Sequence, residues 1–370
     1  MSERLIVASP LPRPQVKRAL VIKLRHHGDV LLASPVIAEL AEQYPNAEID
    51  ALVYHDTREM LSLHPGLAQL HTIGRDWRTL NPLAQLKRWW PLFQTLKARR
   101  YDLIVNLTDH WHGARLARWL KPALSVAPKA QRDSKWADRA WKKSFTHLFP
   151  IPRGNTRHTV EMHLDALRRI GIQPVKKELG FVAGEAADAS VAQKLAAAGV
   201  EANRFILIHP TSRWLFKTWP VAHMAALIDA LTARGEQVVL SAAPAKAEMD
   251  WVAQLNAALT RPVALDLSGQ LNLKELGALI ASARAFVGVD SVPMHLAAAQ
   301  QTPTVALFGP SGNIEWGPWQ VPHRLLTADF PCRPCGQDGC GGGKVSDCLA
   351  AIAPTSVLAA LDELLAEVPR

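Results

Sequence analysis

Ala285-Phe286-Val287-Gly288-Val289-Asp290-Ser291-Val292-Pro293-Met294-His295 leads into an Ala-rich run that ends near Gln300. Ala285 to Val289 is a short apolar run of strand length, and Met294 to Gln300 reads as helix. A strand that passes directly into a helix is the repeating unit of a parallel α/β sheet. In such open sheets ligands sit beyond the carboxyl ends of the strands, so Asp290 and Ser291 face that edge. The helix that follows aims free backbone N–H groups and the positive end of its dipole at the same spot, which suits a diphosphate. Simple N-capping of the helix by Asp290 is the other reading of these residues.

The alternation extends in both directions. Arg18 to Arg25 reads as a buried strand and Val30 to Tyr44 as one amphipathic helix that tolerates Pro35 near its start. Glu48 to Tyr54, Leu70 to Ile73 and Asp102 to Leu107 are the next strands. A second series runs through Arg204 to Ile208, Gln237 to Ser241, Val263 to Leu265, Ala285 to Val289 and Thr304 to Phe308. Helices are expected between them at Val221 to Arg234, Lys246 to Leu259, Leu273 to Ala283 and Pro293 to Gln300. Repeated twice, this βαβα pattern predicts two doubly wound parallel sheets. Gln173-Pro174 and Gly184-Glu185 interrupt the periodicity. The expected layout is therefore a tail at 1–17, domains at 18–185 and 186–353, and a segment 354–370 whose amphipathic helix packs back across the join.

A length of 370 residues exceeds the roughly 250–300 at which single cores stop growing. No stretch approaches the ~20 apolar residues of a membrane span. Glu3 and Arg4 ahead of the short Leu5-Ile6-Val7-Ala8 run make a poor signal peptide, so a cytoplasmic location is expected. The formal charge of +9 is unevenly placed: residues 75–143 hold 16 Lys/Arg against 5 Asp/Glu and seven of the 12 Trp. Leu86-Lys87-Arg88-Trp89-Trp90-Pro91-Leu92-Phe93 is the densest piece. Trp beside Lys and Arg is the chemistry of a membrane–water interface, so an anionic lipid surface or phosphorylated lipid substrate is expected there. A solvated basic face is the plainer reading. No nucleic-acid-binding signature accompanies the patch, and nucleic acid is not an expected partner.

Three further stretches carry chemistry. Lys23-Leu24-Arg25-His26-His27-Gly28-Asp29 places Asp29 at a helix start, facing a ligand as a general base or merely capping. Thr211-Ser212-Arg213-Trp214-Leu215-Phe216-Lys217 offers two hydroxyls and a cation to a diphosphate leaving group, without the glycine spacing of a Walker loop. No Asp-x-Asp triplet is present, so charge neutralisation falls to Lys217 and helix N-termini. Cys332, Cys335, Cys340 and Cys348 admit either a structural zinc or reduced thiols.

Lys23…His27-Gly28-Asp29, Thr211-Ser212…Lys217-x-Trp219-Pro220, Leu267-Ser268-Gly269 followed by Leu276 to Ile280, and Gly288-Val289-Asp290-Ser291…His295 together resemble glycosyltransferase family 9, the heptosyltransferases, in order and over nearly the whole chain. The Lys-x-Arg-x-His-Gly-Asp form of the first motif and Tyr54-His55-Asp56-Thr57 resemble its heptosyltransferase III subgroup. The resemblance implies a GT-B fold, two facing Rossmann-like domains with an interdomain cleft. It also implies ADP-L-glycero-β-D-manno-heptose as donor, no required cofactor, and inverting, metal-independent transfer to the lipopolysaccharide core on lipid A. It makes Asp29 the base and gives the donor phosphates to Lys217, Thr211 and Ser212. Asp290 then holds heptose hydroxyls, Ser291 and His295 flank the diphosphate, and Ser241 to Pro244 with Ser268 and Gly269 border the adenosine. Asp109 and His110 join His27 and Gly28 on the acceptor side. Val292 and Met294 are bulkier than related sequences often carry. Heptosyltransferase I or II activity, or a non-catalytic sugar-nucleotide-binding protein of the same fold, are the alternatives.

Overall fold

The computed structural model describes residues 15–79, 81–130, 132–152 and 154–368. Its first sheet holds β1 (Arg18–Lys23), β2 (Glu48–Tyr54), β3 (Gln69–Ile73), β4 (Leu103–Asn106), β5 (Leu124–Pro128) and β6 (His147–Phe149). Its second holds β7 (Phe205–His209), β8 (Gln237–Leu240), β9 (Leu265–Asp266), β10 (Ala285–Val289), β11 (Thr304–Leu307) and β12 (His323–Leu326). Every pairing is parallel. The strand orders are β3-β2-β1-β4-β5-β6 and β12-β11-β10-β7-β8-β9. Read from its other edge, the second order repeats the first, so each sheet is doubly wound in the dinucleotide-fold sense. The order reverses between β1 and β4 in one sheet and between β7 and β10 in the other.

These four inner strands are near-continuous apolar runs, as expected where helices cover both faces. β7, β10 and β4 are buried along their whole length. Gly288 lies where β10 meets β7, paired with His209. A Cβ there would come within 2.7 Å of the Phe286 ring and 3.0 Å of the His209 carbonyl, so the strands can approach at this point only without a side chain.

The chain forms two compact units. One comprises the residues up to Arg58 with Pro65–Pro152 and Val160–Lys177; the other comprises Glu59–His64, Arg153–Thr159 and the chain from Glu178 on. The last helix, Pro354–Glu367, packs on the helix Val221–Ala233 and on β11 and β12.

The stretch 30–44 is two helices, His27–Leu31 and Ser34–Gln43, where the sequence predicts one. Pro35 has no N–H to donate and closes the first helix, while the Ser34 hydroxyl donates to the Leu31 carbonyl at 2.7 Å. β5, β6 and β12 carry no clear sequence signal. β5 contains Ser125 and ends on a proline; it is held by its partner, with Ser125 N–H donating to Thr146 Oγ1 at 2.8 Å and Thr146 N–H to Ser125 Oγ at 3.0 Å.

Asp50, fully buried in β2, locks the outer half of the first sheet. Arg99 donates to both its oxygens at 2.8 and 2.9 Å, Tyr101 donates its hydroxyl at 2.6 Å, and His71 Nε2 lies 3.3 Å away. Burial pushes this carboxyl up, but the hydrogen bonds from His71, Arg99 and Tyr101 outweigh it and hold it below the usual carboxylate range. Asp50→Ala removes the buried acceptor that Arg99, Tyr101 and His71 share and should cost about 3–5 kcal/mol at pH 7, read as a lower urea midpoint. A carboxyl depressed in the folded state stabilises above its unfolded pKa and loses that contribution as pH falls through the folded value. The gap between wild type and variant should therefore narrow below about pH 4; a gap independent of pH would argue that packing, not charge, is at stake.

Candidate active site

In the first unit, β1 delivers Lys23 at its carboxyl end, and the chain turns into the short helix His27–Leu31 with Asp29 in its first turn. The position before the helix is His26, and no side chain caps it. Asp29 is engaged elsewhere: its Oδ1 lies 3.5 Å from Lys23 Nζ and its Oδ2 3.8 Å from His26 Nδ1. Lys23 is buried, and burial lowers its pKa against the opposing pull of Asp29. Its ammonium also donates to the Leu107 carbonyl at 3.3 Å and meets His163 Nε2 at 2.9 Å. Three N–H bonds thus find three acceptors.

The state of His163 follows from its neighbours. Its Nδ1 lies 2.9 Å from the Leu32 carbonyl, which can only accept, so Nδ1 carries the hydrogen and Nε2 turns its lone pair toward Lys23. The ring thus bridges the Leu32 carbonyl and Lys23. Lys23 supports Asp29 from behind, and His163 supports Lys23.

Of the other residues expected near the acceptor, His27 Nε2 meets the Asp56 carbonyl at 2.9 Å, and burial lowers its pKa. Gly28 is buried in the same turn. Asp109 accepts from Arg25 Nη2 at 2.9 Å. His110 precedes the helix Trp111–Leu120 without capping it.

In the second unit the residues singled out in the sequence converge on the carboxyl edge of the sheet. Lys217 leaves the β7 loop, Asp290 follows β10, and Lys217 Nζ donates to Asp290 Oδ2 at 2.6 Å. Asp290 is 8% exposed at its side chain and Lys217 21%, a half-desolvated pair that spans the reversal point of the sheet. Asp290 therefore does not cap the next helix: Ser291 holds that position, and its hydroxyl donates to the Val289 carbonyl at 3.2 Å. The first turn of Val292–Ala299 is left without a side-chain cap, with His295 buried behind it.

Thr211 and Ser212 are both buried. The Thr211 hydroxyl donates to Glu248 Oε2 at 2.7 Å. Burial raises the Glu248 carboxyl. Ser212 Oγ accepts from the Trp214 N–H at 3.3 Å. Ser241 Oγ meets His209 Nδ1 at 3.0 Å, and burial holds the His209 imidazole down at about 3, neutral. Gly269 N–H donates to the Ala242 carbonyl at 2.9 Å and adopts φ +72°, with Met249 and Pro244 beside it. The loops after β8 and β9 thus lie together. Exposed Pro244 and buried Ser268 stand at this rim, and the Ser268 hydroxyl has no hydrogen-bond partner among the described residues.

Lys23 and His163 lie 140 positions apart, and only a lysine ending an otherwise apolar strand hints at the pair. Glu248 reads locally as an ordinary first-turn acid. The four cysteines are free, two exposed, one half-buried and one buried; among the described residues no three His, Cys, Asp or Glu side chains are grouped to hold a metal ion.

A family model described as glycosyltransferase family 9 (heptosyltransferase) matches residues 89–345. The chain is 39% identical over 297 residues to lipopolysaccharide heptosyltransferase 3 of Escherichia coli, which covers 80% of this chain and 84% of the relative. It is 29% identical over 327 residues to lipopolysaccharide heptosyltransferase 1 of Pseudomonas aeruginosa, 87% of each. Among solved structures, a family 9 glycosyl transferase from Veillonella parvula superposes with a TM-score of 0.81 at 20% identity, over 95% of this chain and 98% of that one. ADP-heptose lipopolysaccharide heptosyltransferase II of E. coli gives 0.74 at 21%, over 95% and 99%. These structures share the α/β GT-B fold expected from the sequence.

Proposed function

The chain belongs to glycosyltransferase family 9, the heptosyltransferases, and from that premise we propose that it transfers L-glycero-D-manno-heptose from ADP-heptose to the heptose region of the lipopolysaccharide core, as a heptosyltransferase III, with inversion and without a metal ion. The observation that carries the reading is the 39% identity over 80% of the chain to a heptosyltransferase 3.

Asp29 accepts the proton of an acceptor heptose hydroxyl as that oxygen attacks the anomeric carbon. The transition state has oxocarbenium character, and ADP departs from the opposite face of the sugar. Negative charge grows on the departing diphosphate. Lys217 meets it with the N–H bonds that Asp290 leaves free, and the uncapped N–H groups of Val292–Ala299 add their dipole. The second Asp290 oxygen remains open to sugar hydroxyls. Lys23, held by His163, fixes the rotamer of Asp29.

The acceptor sits on a lipid, and the basic segment supports a peripheral place at the cytoplasmic face of the inner membrane. Leu83, Leu86, Trp90, Trp119 and Trp136 are exposed there, beside Lys87 and Arg88, whereas Trp141 is wholly buried and belongs to the core. No helix among the described residues is long and apolar enough to cross a membrane.

Transfer from ADP-heptose to truncated lipopolysaccharides that end in no, one or two core heptoses tests the proposal. Extension of the two-heptose acceptor alone, at a rate unchanged by EDTA, is expected. Extension of a shorter acceptor would reassign the enzyme to heptosyltransferase I or II, and ADP-heptose binding without transfer to any would make it a binding protein.

A further inference from the structure

Lys217 ends the short 3-10 turn Leu215–Lys217, and that turn is closed on itself. Lys217 N–H donates to the Trp214 carbonyl at 2.8 Å, and Thr218 N–H to the Leu215 carbonyl at 2.9 Å. Among the described residues, three hydrogen bonds tie the stretch 212–219 to the rest of its unit. One is the contact between Lys217 and Asp290. The other two both lead to the stretch 346–352, across 130 and 133 positions. Ser346 donates its hydroxyl to the Phe216 carbonyl at 2.6 Å, and Trp219 donates its indole N–H to the Ile352 carbonyl at 3.1 Å. Lys217 therefore stands between two backbone anchors that share one short segment.

The segment is itself fixed. Leu349 and Ala350 N–H both donate to the Ser346 carbonyl, at 2.9 and 3.0 Å, which opens the helix Asp347–Ala350 and sets the backbone from which the buried Ser346 hydroxyl reaches Phe216. Leu349 and Ile352 belong to the same core as Trp219. Gly309, just past β11, leaves the room: a Cβ there would come within 2.6 Å of Leu349 and 3.5 Å of Cys348 Sγ. On the other flank Cys340 Sγ accepts from the Asp347 N–H at 3.5 Å, and Arg333 Nε donates to the Gly309 carbonyl at 2.7 Å. The four-cysteine stretch thus has a place in the fold, as the scaffold that carries Ser346.

We propose that Ser346, paired with the Trp219–Ile352 bond, is a positioning residue for the transfer: it holds the backbone beside Lys217 so that the ammonium stays on the departing diphosphate. The proposal rests on the reading of Lys217 as the cation that meets the donor. A diphosphate competes with Asp290 for the ammonium, so while donor is bound the turn depends on the two anchors at 346–352. Electrostatic stabilisation of a leaving group needs the cation in place before the charge grows, and a displacement near 1 Å can cost roughly 100-fold in rate.

The test is a cycle of wild type, Ser346→Ala, Lys217→Met and the double variant, read by calorimetry with ADP and by kcat with ADP-heptose on the two-heptose acceptor, with each urea midpoint as the measure of folding. Ser346→Ala should raise the ADP Kd about tenfold, lower kcat about 10–100-fold and leave the acceptor KM unchanged. Once Lys217 is methionine it should add less than about twofold to either loss. A serine that only supports the fold costs the same with or without Lys217, so equal penalties in the two backgrounds overturn the proposal. A Ser346→Ala variant that binds ADP and turns over like wild type also overturns it. Trp219→Phe removes the bond at the other anchor, should show the same dependence on Lys217, and serves in place of Ser346→Ala if that variant does not fold. Absence of transfer to any acceptor would remove the transferase reading and leave the ADP cycle to decide on Ser346. Transfer with additive penalties would keep the reading and remove Ser346 from it.

Discussion

Asp29→Asn should lower kcat for heptosyl transfer by about 10²–10⁴-fold, the usual worth of a positioned general base, while the Kd for ADP-heptose stays within twofold. The substitution keeps shape and removes the acceptor for the hydroxyl proton. Its severity follows from how tightly the carboxylate is held. Lys23 has three donors and three acceptors, and His163 is locked by the Leu32 carbonyl in the tautomer that accepts. Among the described residues, the titratable groups against Asp29 are Lys23 at 3.5 Å and His26 at 3.8 Å. Rates from ADP release and affinity from calorimetry separate chemistry from binding. Activity within threefold of wild type would remove Asp29 from the mechanism.

The strands that could be read in advance are the ones buried on both faces, such as Ala285–Val289 and Phe205–His209, whose apolar runs need no partner to be recognised. β5 and β12 could not, since what holds them lies in their neighbours: Ser125 is satisfied by Thr146, and β12 lies on the edge beside β11. The same division holds at the site. Asp29, Lys217 and Asp290 stand at strand-to-helix turns, where position alone announces exposure to a ligand. Lys23–His163 and Thr211–Glu248 are contacts across 140 and 37 positions, and no periodicity or spacing encodes them. Thr211 reads locally as a loop hydroxyl beside a lysine, and its hydrogen bond to Glu248 becomes visible only in the fold.

Lys217→Met should lower kcat by about 10²–10³-fold and raise the ADP-heptose KM, because the lysine contributes both before and during departure of the diphosphate. Loss of the cation does more than delete a contact. It leaves Asp290, 8% exposed and previously 2.6 Å from the ammonium, as an unpaired carboxylate near a ligand with several negative charges. Part of the damage is therefore repulsion, which Asp290→Asn should relieve. The double variant should bind ADP more tightly than Lys217→Met alone and still turn over slowly, since neutralising Asp290 removes the repulsion without restoring the stabiliser of the leaving group. Calorimetry with ADP and kcat on the two-heptose acceptor, taken around the four-cornered cycle, measure the two effects separately. Additive losses in both quantities would mean that the pair is a structural strut at the β7–β10 reversal, and that the diphosphate is held by the helix N-terminus alone.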